Sequence, residues 1–393
     1  MILKPPHGFL YVSVQIMRNI LITGGAGFIG TNVAAKLIEQ GHSITILDNF
    51  NPQIHGANRQ LPPNLQGKAQ LIIGDVTDKD TFYDALAGKD AIIHYAAETG
   101  TGQSMYDISR YTNVNIQATS TLCDYIVNEN HKIRTVIVAS SRSIYGEGKY
   151  YSAEFGDVYP AARTHDSVKD SFEVVCPISG KNNLEVKATD ESSKIHPSSF
   201  YGITKQVQEQ MITLACRLKS INGFALRYQN VYGPGQSLKN PYTGILSIFL
   251  RLALKNQQIN VFEDGLESRD FVYIDDVVNA TIACLGDDLK GQHILNVGSG
   301  VATSVLSVAN EIVSYLNSQS EIAVSGIFRE GDIRHNFADL KLVKKTLGFK
   351  PQWEFADGLH KFIDWALSQN DIPESVDDYK FSLAELRDRG LLK

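Results

Sequence analysis

The chain has 393 residues, 43% of them hydrophobic and 20% charged, with a net charge of -6. That length supports a large core and two domains, while the negative balance excludes a global basic field for nucleic acid or anionic membrane. Four cysteines (Cys123, Cys176, Cys216, Cys284) stand far apart with no Cys-x-x-Cys pair, which argues against a zinc ribbon, predicts no metal and suggests a reducing compartment.

Residues 1–16 (MILKPPHGFLYVSVQI) carry two prolines and no small-residue cleavage site, and read as an N-terminal extension rather than a signal peptide. From Met17 onward, apolar runs alternate with helical patterns. Strands are expected at 19–24 (NILITG), 43–49 (SITILDN), 69–76 (AQLIIGDV), 90–97 (DAIIHYAA) and 134–141 (RTVIVASS), with helices at 30–41, 80–88 and 108–129 between them. Short continuous apolar strands separated by helices predict a parallel sheet covered on both faces, an α/β fold of the Rossmann type. Its ligand belongs at the carboxyl ends of the strands.

The pattern breaks between Tyr145 and Tyr201, a stretch rich in Asp, Ser, Lys and Pro. A loop that long should contain structure of its own, and SFEVVCPI and NLEVKATD, separated by SGKN, predict a small hairpin. A helix from Tyr201 to about Lys219 follows, then a sixth strand (GFALRYQNVYG). Gly244 opens GILSIFLRLAL, an amphipathic helix too short to span a bilayer and interrupted by Arg251. The remainder holds an isolated strand at 293–299 and a helix SVLSVANEIVSYL. No membrane partner is expected, and a cytoplasmic location is.

TGGAGFIG (23–30) lies between the first strand and the first helix and contains Gly24, Gly25, Gly27 and Gly30. Missing side chains let a backbone approach a pyrophosphate, whose charge faces the helix N-terminus. Asp48 closes the second strand, eighteen positions beyond Gly30. Its carboxylate accepts bonds from a ribose hydroxyl and repels a 2′-phosphate, so NAD is favoured over NADP; Arg59, downstream, is not tied to the ribose by anything in the sequence. Asp75, ending the third strand on the same edge, suits either a turn or adenine. In PSSFYGITKQ, Tyr201 and Lys205 share one helix face. A phenol with a pKa of about 10 stays protonated at neutral pH, and an adjacent ammonium together with a positive nicotinamide ring is expected to pull that value down.

TGGAGFIG, GDV, HYAA, SSRSIYG, YGITK, LRYQNVYGPG and RDFVYIDD occur in one order between Met17 and about Trp365. Together they resemble the extended short-chain dehydrogenase/reductase family of NAD-dependent nucleotide-sugar epimerases and dehydratases. The resemblance implies a Rossmann domain over 17–226, with an insert at 147–196 and joined by 270–297, and a smaller mixed α/β nucleotide-sugar domain from 227–269 and 298–393. It implies Tyr201 as acid/base, Lys205 as its charge partner on the nicotinamide ribose, and Ser141 as the hydroxyl on the reacting sugar oxygen, with Ser140 as a rival. NAD would be held by Gly24, Gly27, Phe28, Ile29, Gly30, Asp48, Asn49, Asp75, Val76, Ala96 and Tyr228 as well as by Tyr201 and Lys205. Ser141, Asn230, Arg269 and Arg329 would hold a nucleotide-diphosphate sugar, dTDP- or UDP-linked; for Arg329 a plain salt bridge is the competing reading.

A 4,6-dehydratase of this family would show an acidic pair where this chain has Arg142 and Ser143, so dehydration is disfavoured and 4-epimerisation through a transient 4-keto sugar is expected. AAETGTGQSMYDI, YGPGQSLKNPYTGI and EDGLESRDFVYIDD are similar to the branch that converts dTDP-L-rhamnose to dTDP-6-deoxy-L-talose. UDP-glucose or UDP-uronate epimerisation, and an NAD(P)H-dependent 4-keto-sugar reductase, are the alternatives. Relatives of that branch often carry paired cysteines near CPISG, where only Cys176 stands here; the insert reads equally as a passive loop or a lid over the sugar. A homodimer is the family expectation.

Overall fold

The computed structural model describes residues 17–238, 240, 244–369 and 377–393; the extension at 1–16 lies outside the described residues, as do four positions of YGPGQSLKNPYTGI. Seven parallel strands form the central sheet. They are β1 (Asn19–Thr23), β2 (Ser43–Asp48), β3 (Gln70–Ile73), β4 (Ala91–His94), β5 (Thr135–Ser141), β6 (Asn222–Tyr228) and β7 (Gln292–Val297), in the order β7-β6-β5-β4-β1-β2-β3. The order reverses between β1 and β4, and a crevice opens there at the carboxyl ends of the strands. The strand expected to stand alone at 293–299 is instead the sheet's edge, pairing along β6 from Gln292–Gly223 to Val297–Tyr228. One-sequence periodicity sees a strand but not its partner.

Burial explains the sheet. Ile20, Leu21 and Ile22 of β1 are fully buried, as are Ile92 and Ile93 of β4, because helices cover both faces. Helix α1 (Phe28–Glu39) lies on one face, while α2 (Lys79–Leu86), α3 (Ala118–Asn128) and α4 (Phe200–Leu218) pack on the other, where Phe82, Leu122 and Ile212 join the cluster around Leu21 and Val136. The long helix read at 108–129 is one helical rod whose middle, Thr112–Gln117, is wound as a π-helix. The sixth strand divides: after Tyr228 the chain leaves the sheet, and Asn230–Tyr232 pairs with Phe271–Tyr273.

The second layer is built from short strand pairs and helices. Ile259–Val261 runs parallel to Ile322–Val324, and Ser268–Arg269 pairs with both Thr303–Ser304 and His335–Asn336. Helix α5 (Ile245–Leu254) departs from the amphipathic reading: Leu246 through Ala253 are all buried, and Arg251 pairs with Asp378 at 3.0 Å. Among the described residues no helix is long and apolar enough to cross a membrane, and all four cysteines are free thiols.

The hairpin expected from 171–178 and 183–190 does not form. Tyr150–Ser152 is the central strand of a small antiparallel sheet, flanked by Gly156–Val158 and Glu185–Val186. SFEVVCPI contributes Val174 and Cys176 to a miniature core with Tyr150 and Val158 instead of a strand. The insert is neither a passive loop nor a free lid. Arg163 donates to Glu147 (3.1 Å) and Glu263 (2.8 Å), and Arg334 donates to Glu263 (2.9 Å), Asp264 (2.7 Å) and Glu173 (2.9 Å). These groups bolt 147–173 onto the second layer. Asn296 at the end of β7 adds a bond to the carbonyl of Thr189 at 2.9 Å.

Candidate active site

The glycine turn joins β1 to α1 beneath the crevice. Gly24 has φ +63°, and a Cβ there would lie 2.7 Å from the backbone nitrogen of Ala96; a Cβ on Gly30 would lie 2.6 Å from the Cα of Gly25. Side chains at either position would therefore displace the turn. Gly27 caps α1 with no side-chain bond to its first turn, so the N–H groups of that turn are open to an anion. Asp48 is buried at the end of β2, accepts from the backbone N–H of Ala26 (3.0 Å) and Phe50 (2.9 Å), and lies 3.6 Å from the His55 ring. It ties the glycine turn to the end of β2. Asn49 donates to Asp75 at 2.8 Å. Burial would raise the Asp75 carboxyl, but bonds from Asn49 and Thr77 outweigh it and hold it below its ordinary value.

Ser199 caps α4 by accepting from the N–H of Gly202 at 3.1 Å. Gly202 is needed because a Cβ there would sit 2.7 Å from the carbonyl of Ser143; the helix start is pressed against the end of β5. That contact sets Tyr201 beside Ser141. Lys205, one turn later and only 3% exposed, donates to the carbonyl of Ala139 at 3.0 Å, and its Nζ lies 5.9 Å from the Tyr201 ring centre. Strand alternation separates the two serines. The Ser140 hydroxyl turns away and donates to Glu209 (2.7 Å), which is clamped by Arg227 (2.6 Å). Ser141 faces the cleft, where its hydroxyl accepts from the Ser143 N–H (3.2 Å) and the Ser143 hydroxyl (3.0 Å).

The electrostatics of Tyr201 turn on its burial. Burial raises its phenol above the ordinary value, opposed by the Ser141 hydrogen bond and the nearby charge of Arg142. Lys205 is itself lowered by burial to about 7, so the ammonium does not on its own bring the phenol down. His94, buried at the end of β4, is depressed to about 3 by burial and by the charge of Lys205. It is a neutral ring, bonded to Thr23 (2.8 Å) and Thr119 (3.3 Å).

One cleft of 620 Å³ is lined by Gly24, Phe28, Asp48, Ser141, Tyr201 and Lys205. Every other residue predicted for the site also borders it: Gly27, Ile29, Gly30, Asn49, Asp75, Val76, Ala96, Tyr228, Asn230, Arg269 and Arg329. Tyr228 turns its hydroxyl to Thr281 (2.7 Å) and Tyr95 (3.0 Å). Arg329 is held by Asp332, to whose carboxylate it donates at 2.8 and 3.0 Å; it is an ion pair at the cleft wall. Sequence reasoning missed Arg142, the Glu98 carboxylate bonded to Arg110 (3.0 Å) and Asn51 (3.3 Å), and Tyr379 and Leu386 from a C-terminal helix that also lines the cleft. Only Arg142 carried a signal, its place directly after Ser141.

A turn closed to side chains, an uncapped helix start and the buried Asp48 carboxylate at the end of β2 fit a dinucleotide such as NAD. A model of the NAD dependent epimerase/dehydratase family matches residues 20–298. The chain is 39% identical to a dTDP-L-rhamnose 4-epimerase of Burkholderia thailandensis over 357 residues, 90% of this chain and 96% of that one. It is similar in structure to the UDP-glucose 4-epimerase of Thermotoga maritima with UDP-glucose (TM-score 0.72, 26% identity, 89% of this chain and 98% of the other). It is also similar to MoeE5 in complex with UDP-glucuronic acid and NAD (TM-score 0.71, 26% identity, 89% and 99%). The chain belongs to the NAD-dependent epimerase/dehydratase family, in its extended short-chain dehydrogenase/reductase form. It is an isomerase, an NAD-dependent nucleotide-sugar 4-epimerase, with NAD as its cofactor.

Proposed function

We propose that the protein interconverts dTDP-L-rhamnose and dTDP-6-deoxy-L-talose by inverting C4 of the sugar. The observation that supports this reading most is the single cleft in which Ser141, Tyr201 and Lys205 face the glycine turn, in a chain similar to the Burkholderia enzyme over nearly all of both lengths. NAD, when bound, would supply reversible hydride acceptance at C4, so that inversion would carry no net redox change. Ser141 donates to O4 of the sugar and holds it against Tyr201. The Tyr201 phenolate accepts the O4 proton as the ketone forms and gives it back after the 4-keto sugar has turned over. Lys205 and the positive ring of bound NAD would together balance that negative charge, and Lys205 would bond the nicotinamide ribose. Asn230, Arg269 and Arg329 hold the diphosphate, the last while keeping its bond to Asp332. Gly24, Gly27, Phe28, Ile29, Gly30, Asp48, Asn49, Asp75, Val76, Ala96 and Tyr228 surround NAD.

Arg142 and Ser143 offer no carboxylate to expel a C6 hydroxyl, which weighs against dehydration. A UDP-hexose is the second reading, because a putative UDP-glucose 4-epimerase of Methanocaldococcus jannaschii is 31% identical over 89% of this chain. Exposed Ile108, Ile203, Leu214 and Leu218 on the rod at 108–128 and on α4 support a homodimer joined there; a cytoplasmic location is part of the same proposal. NMR of the product formed from dTDP-L-rhamnose, beside UDP-glucose and without added reductant, tests the proposal. A talo-configured dTDP sugar supports it, and turnover of UDP-glucose alone replaces the substrate.

A further inference from the structure

Arg142 follows Ser141 at the mouth of β5 and has no part in the function proposed above. Its Nε donates to Asn230 Oδ1 at 2.6 Å. Its Nη1 is sealed from solvent and meets no hydrogen-bond acceptor among the described residues. A guanidinium has five N–H donors, and leaving one buried and unfilled is costly. No carboxylate repairs this. Asp332 is committed to Arg329 at 2.8 Å, and Asp270 accepts from Ser299 (2.7 Å), Gly300 (3.0 Å) and Ala338 (3.1 Å).

A second guanidinium, Arg269, borders the same cleft, with one of its nitrogens donating to the carbonyls of Ser268 (2.9 Å) and Arg334 (3.1 Å). Burial, reinforced by the charge of Arg269, brings Arg142 down to about 9. Two cations bordering one cleft complement an anion bound in it. Arg142 stands where the two ends of the site meet: Ser141 and Tyr201 on one side, Asn230 and Arg269 on the other.

We propose that Arg142 is a substrate-binding residue of this site, its guanidinium shifting on binding so that a terminal N–H donates to the phosphate next to the sugar in a nucleoside-diphosphate sugar while its Nε holds Asn230 in place. The assignment rests on the nucleotide-sugar reading of the cleft. It gives Arg142 a specificity role as well: the arm is usable only by ligands with a second phosphate.

The test compares nucleoside di- and monophosphates as ligands of the NAD-loaded enzyme, by calorimetry with dTDP and dTMP and again with UDP and UMP. Arg142→Met should weaken dTDP roughly ten- to a hundred-fold and leave dTMP within about threefold of wild type. Arg142→Lys, which keeps the charge without the fork, should fall between. A variant that keeps the wild-type preference for the diphosphate, or that loses both ligands alike, overturns the assignment. If Arg142→Met fails to retain NAD and fold, Arg142→Lys decides by the same ratio: a reduced preference supports the role and an unchanged one removes it. Selective loss of UDP with no effect on thymidine nucleotides would keep Arg142 in place while retiring dTDP-L-rhamnose as substrate.

Discussion

Replacing Lys205 by Met should make the protein more stable and less active, and the gain should depend on pH. The ammonium is almost fully buried, and burial lowers it from 10.5 to about 7. At about 1.4 kcal/mol per pH unit, burying the charge costs at most about 5 kcal/mol below pH 7. Met removes that cost but also the hydrogen bond to the carbonyl of Ala139, which takes back about 1 kcal/mol. The net gain near pH 6 is therefore about 3–4 kcal/mol. Below pH 7 both folded and unfolded lysine carry the proton, so the difference is constant. Between 7 and 10.5 the folded chain sheds it while the unfolded chain keeps it, and wild-type stability rises with pH. The advantage of Lys205→Met should shrink by about 1.4 kcal/mol per unit and vanish near pH 10. Urea unfolding followed by the fluorescence of Trp353 and Trp365, at matched NAD content, measures this. A difference that stays the same from pH 6 to pH 10 would refute burial of the charge as its source.

Three further perturbations address other parts of the site. Tyr201→Phe should lower kcat by roughly a hundred- to ten-thousand-fold with NAD still bound; turnover within about tenfold of wild type would remove the phenol from proton transfer. Asp48→Ala frees the N–H groups of Ala26 and Phe50 and removes the charge facing the ribose. Affinity for NAD should fall while discrimination against NADP relaxes, and titration of both dinucleotides would expose an unchanged preference. Glu263→Ala strips a shared partner from Arg163 and Arg334. Both are buried cations that keep other carboxylate partners, so a loss of about 1–3 kcal/mol is expected, and a melting temperature unmoved by the change would deny that this network fastens the insert.

Legibility followed sequence distance. β1, β2, β4 and β5 could be read as apolar runs because each is covered on both faces, and the glycine turn because its spacing is local. The edge strand β7 could be read as a strand but not placed, since its partner lies some seventy positions away in β6. The 147–196 insert failed for the same reason: its order comes from Arg163 meeting Glu263 and Arg334 meeting Glu173, contacts that no periodicity encodes. SFEVVCPI looked like a strand because Val174 and Cys176 are buried, yet they are buried as core plugs. α5 looked amphipathic because Arg251 interrupts it, although Asp378 takes that charge inside. In the site, strand alternation distinguishes Ser141 from Ser140 only once Glu209 is seen to occupy Ser140. What the i and i+4 pairing of Tyr201 and Lys205 does not reveal is their burial, visible only in three dimensions, which raises the phenol and lowers the ammonium.

The most direct trial of the chemistry uses dTDP-L-rhamnose carrying deuterium at C4, incubated with the purified enzyme in ordinary water and followed by NMR. If hydrogen leaves C4 for a bound nicotinamide and comes back to the other face, the inverted sugar keeps its deuterium. Loss of the label to solvent would mean that C4 is inverted by proton exchange, and Tyr201 beside a dinucleotide would have been given the wrong work.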